Sequence, residues 1–389
     1  MFSSGSKESD VMVRIATVAL LSIVMVFVSA AGTQAAVSNV TTLTGYHSTA
    51  GVAFSLDGSR AFVVEDNDGV PGGIADVIVF DARTLEPISG RISAGIPGAG
   101  VNHAIAMSPD GSKAYVSLGQ GKIKPFSPST LTFGTAITVG TAGVGQVVFS
   151  PDGTTAYVAV TNNGSGTQVK VIDVLTDSVT LSVTACTGPD GLALTPDGQK
   201  LFVNCADGSI AVIETVGNTV IHTFTPGGHL QGTTITMAPD GASVYATSFT
   251  APSTVTSVID TTSYAVEHQF TDEPKDVAFT VDGLIAYYIS ASLGDLVPTD
   301  PTTFSSGTPI DVTGPSPGLW FLMNRNPVAD QFWITGGSTI YVAGELPRLA
   351  DTGLDDRTSW TVLVAAVSVV SAGLLMVTVR RRGTRSSAR

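Results

Sequence analysis

Short runs of alternating apolar and polar residues fill most of this 389-residue chain, and the same run returns at a nearly fixed interval. Aligned on Asp-Gly, six segments read GVAFSLDGSRAFVV, HAIAMSPDGSKAYV, GQVVFSPDGTTAYV, GLALTPDGQKLFV, TITMAPDGASVYA and DVAFTVDGLIAYY. Their aspartates are Asp57, Asp110, Asp152, Asp197, Asp240 and Asp282, spaced 53, 42, 45, 43 and 42 apart. Phe54, Met107, Phe149, Leu194, Met237 and Phe279 stand three residues before Asp, and Val52, Ile105, Val147, Leu192, Ile235 and Val277 five before. Smaller residues such as Ala53, Ala106, Ala193 and Ala278 lie between them. This period of two, large on one face and small on the other, predicts a strand wedged between neighbouring units. Ser-Pro-Asp-Gly after it predicts a tight turn, with Pro holding φ and Gly taking a positive φ. An aromatic follows five residues after each Asp: Phe62, Tyr115, Tyr157, Phe202, Tyr245 and Tyr287. Its presence in every copy points to packing between units rather than a ligand cage.

Each copy continues with a third strand-like run (ADVIVFD, QVKVIDV, SIAVIET) and a fourth (PISGRIS, SVTLSVT, VIHTFT). Four strands in the regular interval of 42 to 45 residues match a propeller blade, roughly 40–50 residues long. A seventh copy, Leu319 to Gly344, has three strand-like runs, Phe332 and Trp333 near the aromatic position, and a turn reduced to Asn326-Pro327. It lacks a fourth strand, and NVTTLTG, Asn39 to Gly45, resembles the fourth strand of the other copies. The expected fold is all-β: a seven-bladed propeller over residues 37–345, its last blade completed by the first strand of the mature chain.

The two ends read differently. Ile15 to Val28 is an apolar run of signal-peptide length, followed by small residues suited to cleavage after Ala35 or Ala36, so 1–36 is expected to be a signal peptide. Lys7 and Arg14 are offset by Glu8 and Asp10, and a start at Met12 gives a better n-region; the alternative is an uncleaved anchor. Trp360 to Val379 carries no charge over a length that spans a bilayer. Arg380, Arg381, Arg382, Arg385 and Arg389 follow, so the positive-inside rule places the tail 380–389 in the cytoplasm and everything before the span outside.

Charge sharpens this. Residues 37–353 carry 11 Lys and Arg against 28 Asp and Glu, a net −17 compared with −13 for the whole chain. Such a surface repels phosphates, which argues against nucleic-acid binding.

The repeat S-P-D-G-x-x-x-Y-V resembles the YVTN family of β-propellers, found in secreted and surface proteins; the Tyr-Val-Thr-Asn element is present only in part, as YVAVTNN and FVNC. Leu349-Ala350-Asp351-Thr352-Gly353, in the linker 346–359, resembles the Leu-Pro-x-Thr-Gly sorting signal of Gram-positive surface proteins, with Ala in place of Pro. The pentapeptide, the apolar span and the basic tail occur in the order that such signals show. The resemblance implies a sortase that cuts between Thr352 and Gly353 and joins Thr352 to peptidoglycan, the span being a membrane anchor only until then. The alternative is a chain that keeps its span.

Cys186 and Cys205 are expected to leave their strands on one face of the propeller, where an exported protein can keep them oxidised as a disulfide; otherwise they are two small core residues. EDNDGVPGGIAD reads as a solvated acidic loop. Its alternative is calcium held by Asp66, Asp68 and Asp76 with Glu65 and Asn67, although no full EF-hand pattern is present. No other cofactor is indicated. Seven residues before each Asp stand Ala50, His103, Gly145, Asp190, Thr233 and Lys275, which should ring one mouth of the central channel. They place His103, Asp190 and Lys275 at a concave site. No coherent catalytic set emerges, so binding or adhesion to a protein or glycan at the cell surface is expected. A lactonase-like hydrolase is the alternative, because propellers host unrelated functions.

Overall fold

A computed structural model of the chain describes residues 40–66, 73–97, 104–227, 231–250, 253–270, 274–290, 294–312 and 322–344. The expected signal peptide, sorting motif, membrane span and basic tail lie outside these residues, as do His103 and Asp68.

Seven antiparallel sheets make seven blades. The innermost strands, blades 1 to 7 in order, are Thr49–Phe54, Ile105–Met107, Val147–Phe149, Pro189–Leu194, Gln231–Met237, Pro274–Phe279 and Leu322–Arg325. Each touches the next, and Thr49–Phe54 also touches Leu322–Arg325, so the ring closes. The closure is the expected one: Val40–Thr44 pairs with Thr339–Gly344 as the outer strand of blade 7, from Val40 opposite Ala343 to Thr44 opposite Thr339. Val40 packs into the seam between blades 6 and 7, and Leu43, on the other face, into the seam between blades 7 and 1. Strands from both ends of the ring thus pair with each other within blade 7. In blade 2 the fourth strand is broken into Thr132–Phe133 and Ile137–Thr138.

The Asp-Gly turns do more than reverse the chain. In blade 1, Asp57 Oδ1 accepts hydrogen bonds from Ser55 Oγ (2.6 Å), Ser59 Oγ (2.8 Å) and the Ser59 N–H (3.1 Å). The same contacts, from Ser108 first, hold the Asp110 carboxyl down at about 2. Gly58, Gly111, Gly153, Gly198, Gly241 and Gly283 all have φ between +64° and +73°. Each also faces the turn of the preceding blade: a Cβ on Gly198 would lie 2.9 Å from Pro151, and one on Gly241 2.7 Å from Pro196. In blades 3 to 6 Pro and Gly of successive turns therefore interlock around one end of the channel, whereas Gly58 meets Asn326 and Val328 and Gly111 meets Leu56.

A second repeated turn joins the third and fourth strands. Leu85, Leu131, Asp177, Asn218, Tyr264 and Phe304, each four residues after the turn's first residue, are left-handed, with φ from 48° to 62°. The Asp81, Asp173, Asp260 and Asp300 carboxylates accept N–H groups at the start of four of these turns. The left-handed residue reaches back to the preceding blade. Leu85 joins the cluster around Trp333, Tyr264 stacks on His222 at 4.6 Å, Phe304 stacks on His268 at 4.5 Å, and Asp177 accepts from Tyr115 Oη (2.5 Å) and Lys113 Nζ (2.7 Å).

The recurrent aromatics lie where expected. Phe62, Tyr115, Tyr157, Phe202, Tyr245 and Tyr287 are all buried, and five of them meet a ring of the next blade, as Tyr115 meets Phe149 and Tyr287 meets Phe332. In blade 7 the position belongs to Trp333, which packs edge-on against Phe54 and Phe80 of blade 1.

Candidate functional site

The inner strands run from the predicted mouth to the Asp-Gly turns, so the channel has a mouth end and a turn end. At the mouth, β-bulges set the side chains. Pairing in blade 4 slips between Pro189 and Gly191, leaving Asp190 as the extra residue. Pairing in blade 6 slips between Pro274 and Val277, around Lys275 and Asp276. Bulges re-aim side chains in this way. The structure brings Asp190 against Gly145, where a Cβ would lie 2.6 Å from the Asp190 carbonyl oxygen, and that oxygen accepts the Gln146 N–H at 3.0 Å. Lys275 stands two blades away, beyond blade 5. Burial pushes the half-buried Asp190 carboxyl up to about 7. Asp276 serves the fold: its buried carboxylate accepts the Val277 N–H and, across the seam, the Met323 N–H at 2.8 Å.

Cys186 and Cys205 form a disulfide beside this mouth. Cys205 ends its strand as expected, whereas Cys186 lies two residues beyond Ser178–Thr184, in the segment that leads to Asp190. That segment is pinned further: the Ala206 N–H donates to Gly188 O (2.8 Å), the Gly188 N–H to Gly166 O (2.6 Å), and the Thr187 N–H to Asp207 Oδ2 (3.2 Å).

Of the suggested calcium ligands, Asn67 and Asp68 lie outside the described residues. Glu65 is fully buried and already paired: Arg91 donates to it through Nε (2.5 Å) and Nη2 (3.0 Å), and the His47 N–H donates at 2.6 Å. Burial alone would raise its carboxyl, but these contacts outweigh burial and hold it below the usual range. Asp66 is buried and Asp76 half-buried, and no group of three or more His, Cys, Asp and Glu among the described residues is placed to hold a metal ion.

Toward the turn end lie two cavities of about 340 and 300 Å³, lined between them by inner strands of all seven blades. Gln146, Asn324 and Arg325 line both. Sequence reasoning missed Asn324 and Arg325. Aligned on the blade-7 turn, Arg325 falls in the column of Phe54, Met107, Phe149, Leu194, Met237 and Phe279, and Asn324 in the column of Ala53; the reduced turn hid that register. A third cavity, about 450 Å³, opens at the turns of blades 5 and 6 beside Asp240, Asp282 and Asp300. Those carboxylates accept the N–H groups of Ala242, Leu284 and Thr303, so they already serve their own turns.

Among the described residues no helix is long and apolar enough to cross a membrane. No protein-family model matches the chain, and no curated protein matches it. Solved structures do. A chain of Kuenenia stuttgartiensis hydrazine synthase superposes with a TM-score of 0.65 at 17% identity, covering 79% of this chain and 97% of that one. The Myceliophteria thermophila Cps50 (Swd1) β-propeller domain superposes with a TM-score of 0.63 at 14% identity, covering 79% and 100%. Likeness at this identity concerns the fold alone, and the described residues form an all-β, seven-bladed propeller with four-stranded blades.

Proposed function

We propose that this chain is an exported, wall-anchored propeller that acts as a binding module at the surface of a Gram-positive bacterium, joined to peptidoglycan through Thr352 by a sortase. The observation that carries the reading is where the two chain ends leave the ring. Gly344 pairs with Gln331, directly after the blade-7 turn, and Val40 pairs with Ala343 beside it. Both ends therefore emerge at the turn end. Leu349 of the sorting motif follows Gly344 by five residues, so the tether is short. A propeller held this way turns its mouth, with Asp190, Lys275 and the disulfide-braced segment, away from the wall. Its ligand, a protein or a glycan, would meet that mouth.

The test is mass spectrometry of muralytic digests of wall fractions. The expected product is a peptide that ends at Thr352 and carries a peptidoglycan fragment, and that is lost in a sortase-deficient strain. A wall-linked form unchanged in that strain would refute the attachment. Cells that display the protein should also bind members of a glycan and matrix-protein array in a way that Lys275→Glu abolishes. A hydrolytic reading draws on one observation, the raised Asp190 carboxyl in a concave site. Lactone turnover lost in Asp190→Asn would favour it.

A further inference from the structure

Blade 7 breaks the repeat at two neighbouring positions that line the channel cavities. Where the other blades place Phe, Met or Leu, it has Arg325, and where most place Ala, it has Asn324. A half-buried arginine in a channel wall loses hydration, and burial lowers the Arg325 pKa from its usual value. Asp330 and Asp282 attract it from a distance, but among the described residues no carboxylate stands within ion-pair reach. One hydrogen bond is made, from Nη1 to the Asn326 carbonyl at 2.8 Å. The rest of the fork is left to the channel.

Two further donors converge there. Gln146 Oε1 accepts the Leu192 N–H at 2.9 Å, which fixes the orientation of its amide. Its Nε2, as well as the Asn324 amide, makes no hydrogen bond to the described residues. Blades 3 and 7 lie across the ring from each other, so a guanidinium and two amides approach the same space from opposite walls. Phe54, Met107, Met237 and Phe279 supply apolar wall, beside Ser108 and Thr236. At about 300 to 340 Å³ the cavities are of the smaller ligand-binding size.

We propose that this part of the channel binds a small organic carboxylate with an apolar body. The carboxylate takes the free edge of the Arg325 fork and the Gln146 and Asn324 amides, and the body lies against the Phe and Met walls. A guanidinium suits this because it presents parallel N–H donors to two oxygens and is weakly hydrated. The site does not depend on wall attachment.

The experiment is calorimetric and thermal titration of the purified full chain with acetate, benzoate, phenylacetate and 4-phenylbutyrate, each beside its neutral amide. At least one aromatic carboxylate should bind and raise Tm, its amide should not, and acetate should bind more weakly. Arg325→Met restores the residue found at 107 and 237, so it should fold with an unchanged or higher Tm while weakening binding by about tenfold or more. Gln146→Leu should weaken binding as well. The proposal is overturned if no carboxylate of the panel binds, if amides bind as well as acids, or if folded Arg325→Met binds as the parent does.

Discussion

The side-chain amide of Asn326 donates to the Gly58 carbonyl at 2.9 Å, across 268 residues of chain. Its Oδ1 accepts the Val328 N–H, and Gln331 Nε2 reaches on to the Ala82 carbonyl of blade 1 at 2.9 Å. Asn326 occupies the place of the turn's first Ser or Thr in most other blades. What reads in sequence as a degenerate turn is the side-chain latch between the last blade and the first. Asn326 and Gln331 are both fully buried. Asn326→Ser, which restores the common turn residue, should lower stability by about 1–3 kcal/mol, because it leaves a buried carbonyl without its donor. Urea denaturation would check this; an unchanged midpoint would mean that the strand pairing alone closes the ring.

The interlocked turns make a graded prediction. Gly153 and Gly241 share nearly the same φ, +70° and +72°, but an added Cβ would lie 3.5 Å from Pro109 in one case and 2.7 Å from Pro196 in the other. Gly153→Ala should cost only the left-handed backbone penalty, about 1–2 kcal/mol. Gly241→Ala should cost roughly 1–3 kcal/mol more from overpacking. Equal midpoints for the two variants would show that the turns do not press on one another.

The Cys186–Cys205 disulfide closes a loop with a sequence separation of 19. A loop of that size is worth about 3 kcal/mol. Reduction, or the double change Cys186→Ser with Cys205→Ala, should shift the urea midpoint by a corresponding amount. It should also expose the segment at Thr187 and Gly188 to protease, which limited proteolysis reads separately.

Asp190 sets a pH dependence with a definite sign. Its folded-state carboxyl is raised to about 7 by burial, so the folded state holds a proton that the unfolded chain releases near 4. The protonated form adds stability that is complete below about 4 and is lost as pH rises to about 7. Asp190→Asn should flatten this part of the profile and raise stability at pH 8 by roughly 1–2 kcal/mol, discounted because the side chain keeps contact with the channel. Thermal melts of both proteins from pH 4 to 8 would show it. A parent profile parallel to that of the variant would remove Asp190 from the account.

The sequence carried much of this because the signals are local. Alternation at Val52 to Phe54, the Asp57-Gly58 turn and the aromatic at Phe62 lie within eleven residues, and each repeats. The outer hairpins were legible in the same way but passed unnoticed. The four-residue step from Asp81 to Leu85, from Asp260 to Tyr264 and from Asp300 to Phe304 is a signature whose meaning, a left-handed residue reaching back one blade, depends on a partner far away in sequence. Arg325 was hidden for a different reason. Its column shows only when blade 7 is aligned on a turn that has lost both Asp and Gly. His103 and Asp68 lie outside the described residues, whereas Asp190 and Lys275 sit at bulges, which shift register and so escape a strict period of two.

By itself the sequence determined the blade count, the strand order, the closure by Val40–Thr44 and the aromatic packing positions, because hydrophobic period and turn chemistry act over a few residues. Only the tertiary structure decided that most turn glycines press on the preceding prolines, that Asn326 latches onto Gly58, that Glu65 is spent on Arg91, and that Gln146, Asn324 and Arg325 line the same two cavities. Each of those depends on which side chains meet across a seam or across the ring. Curvature and closure of the seven blades set those meetings, and no local pattern encodes them.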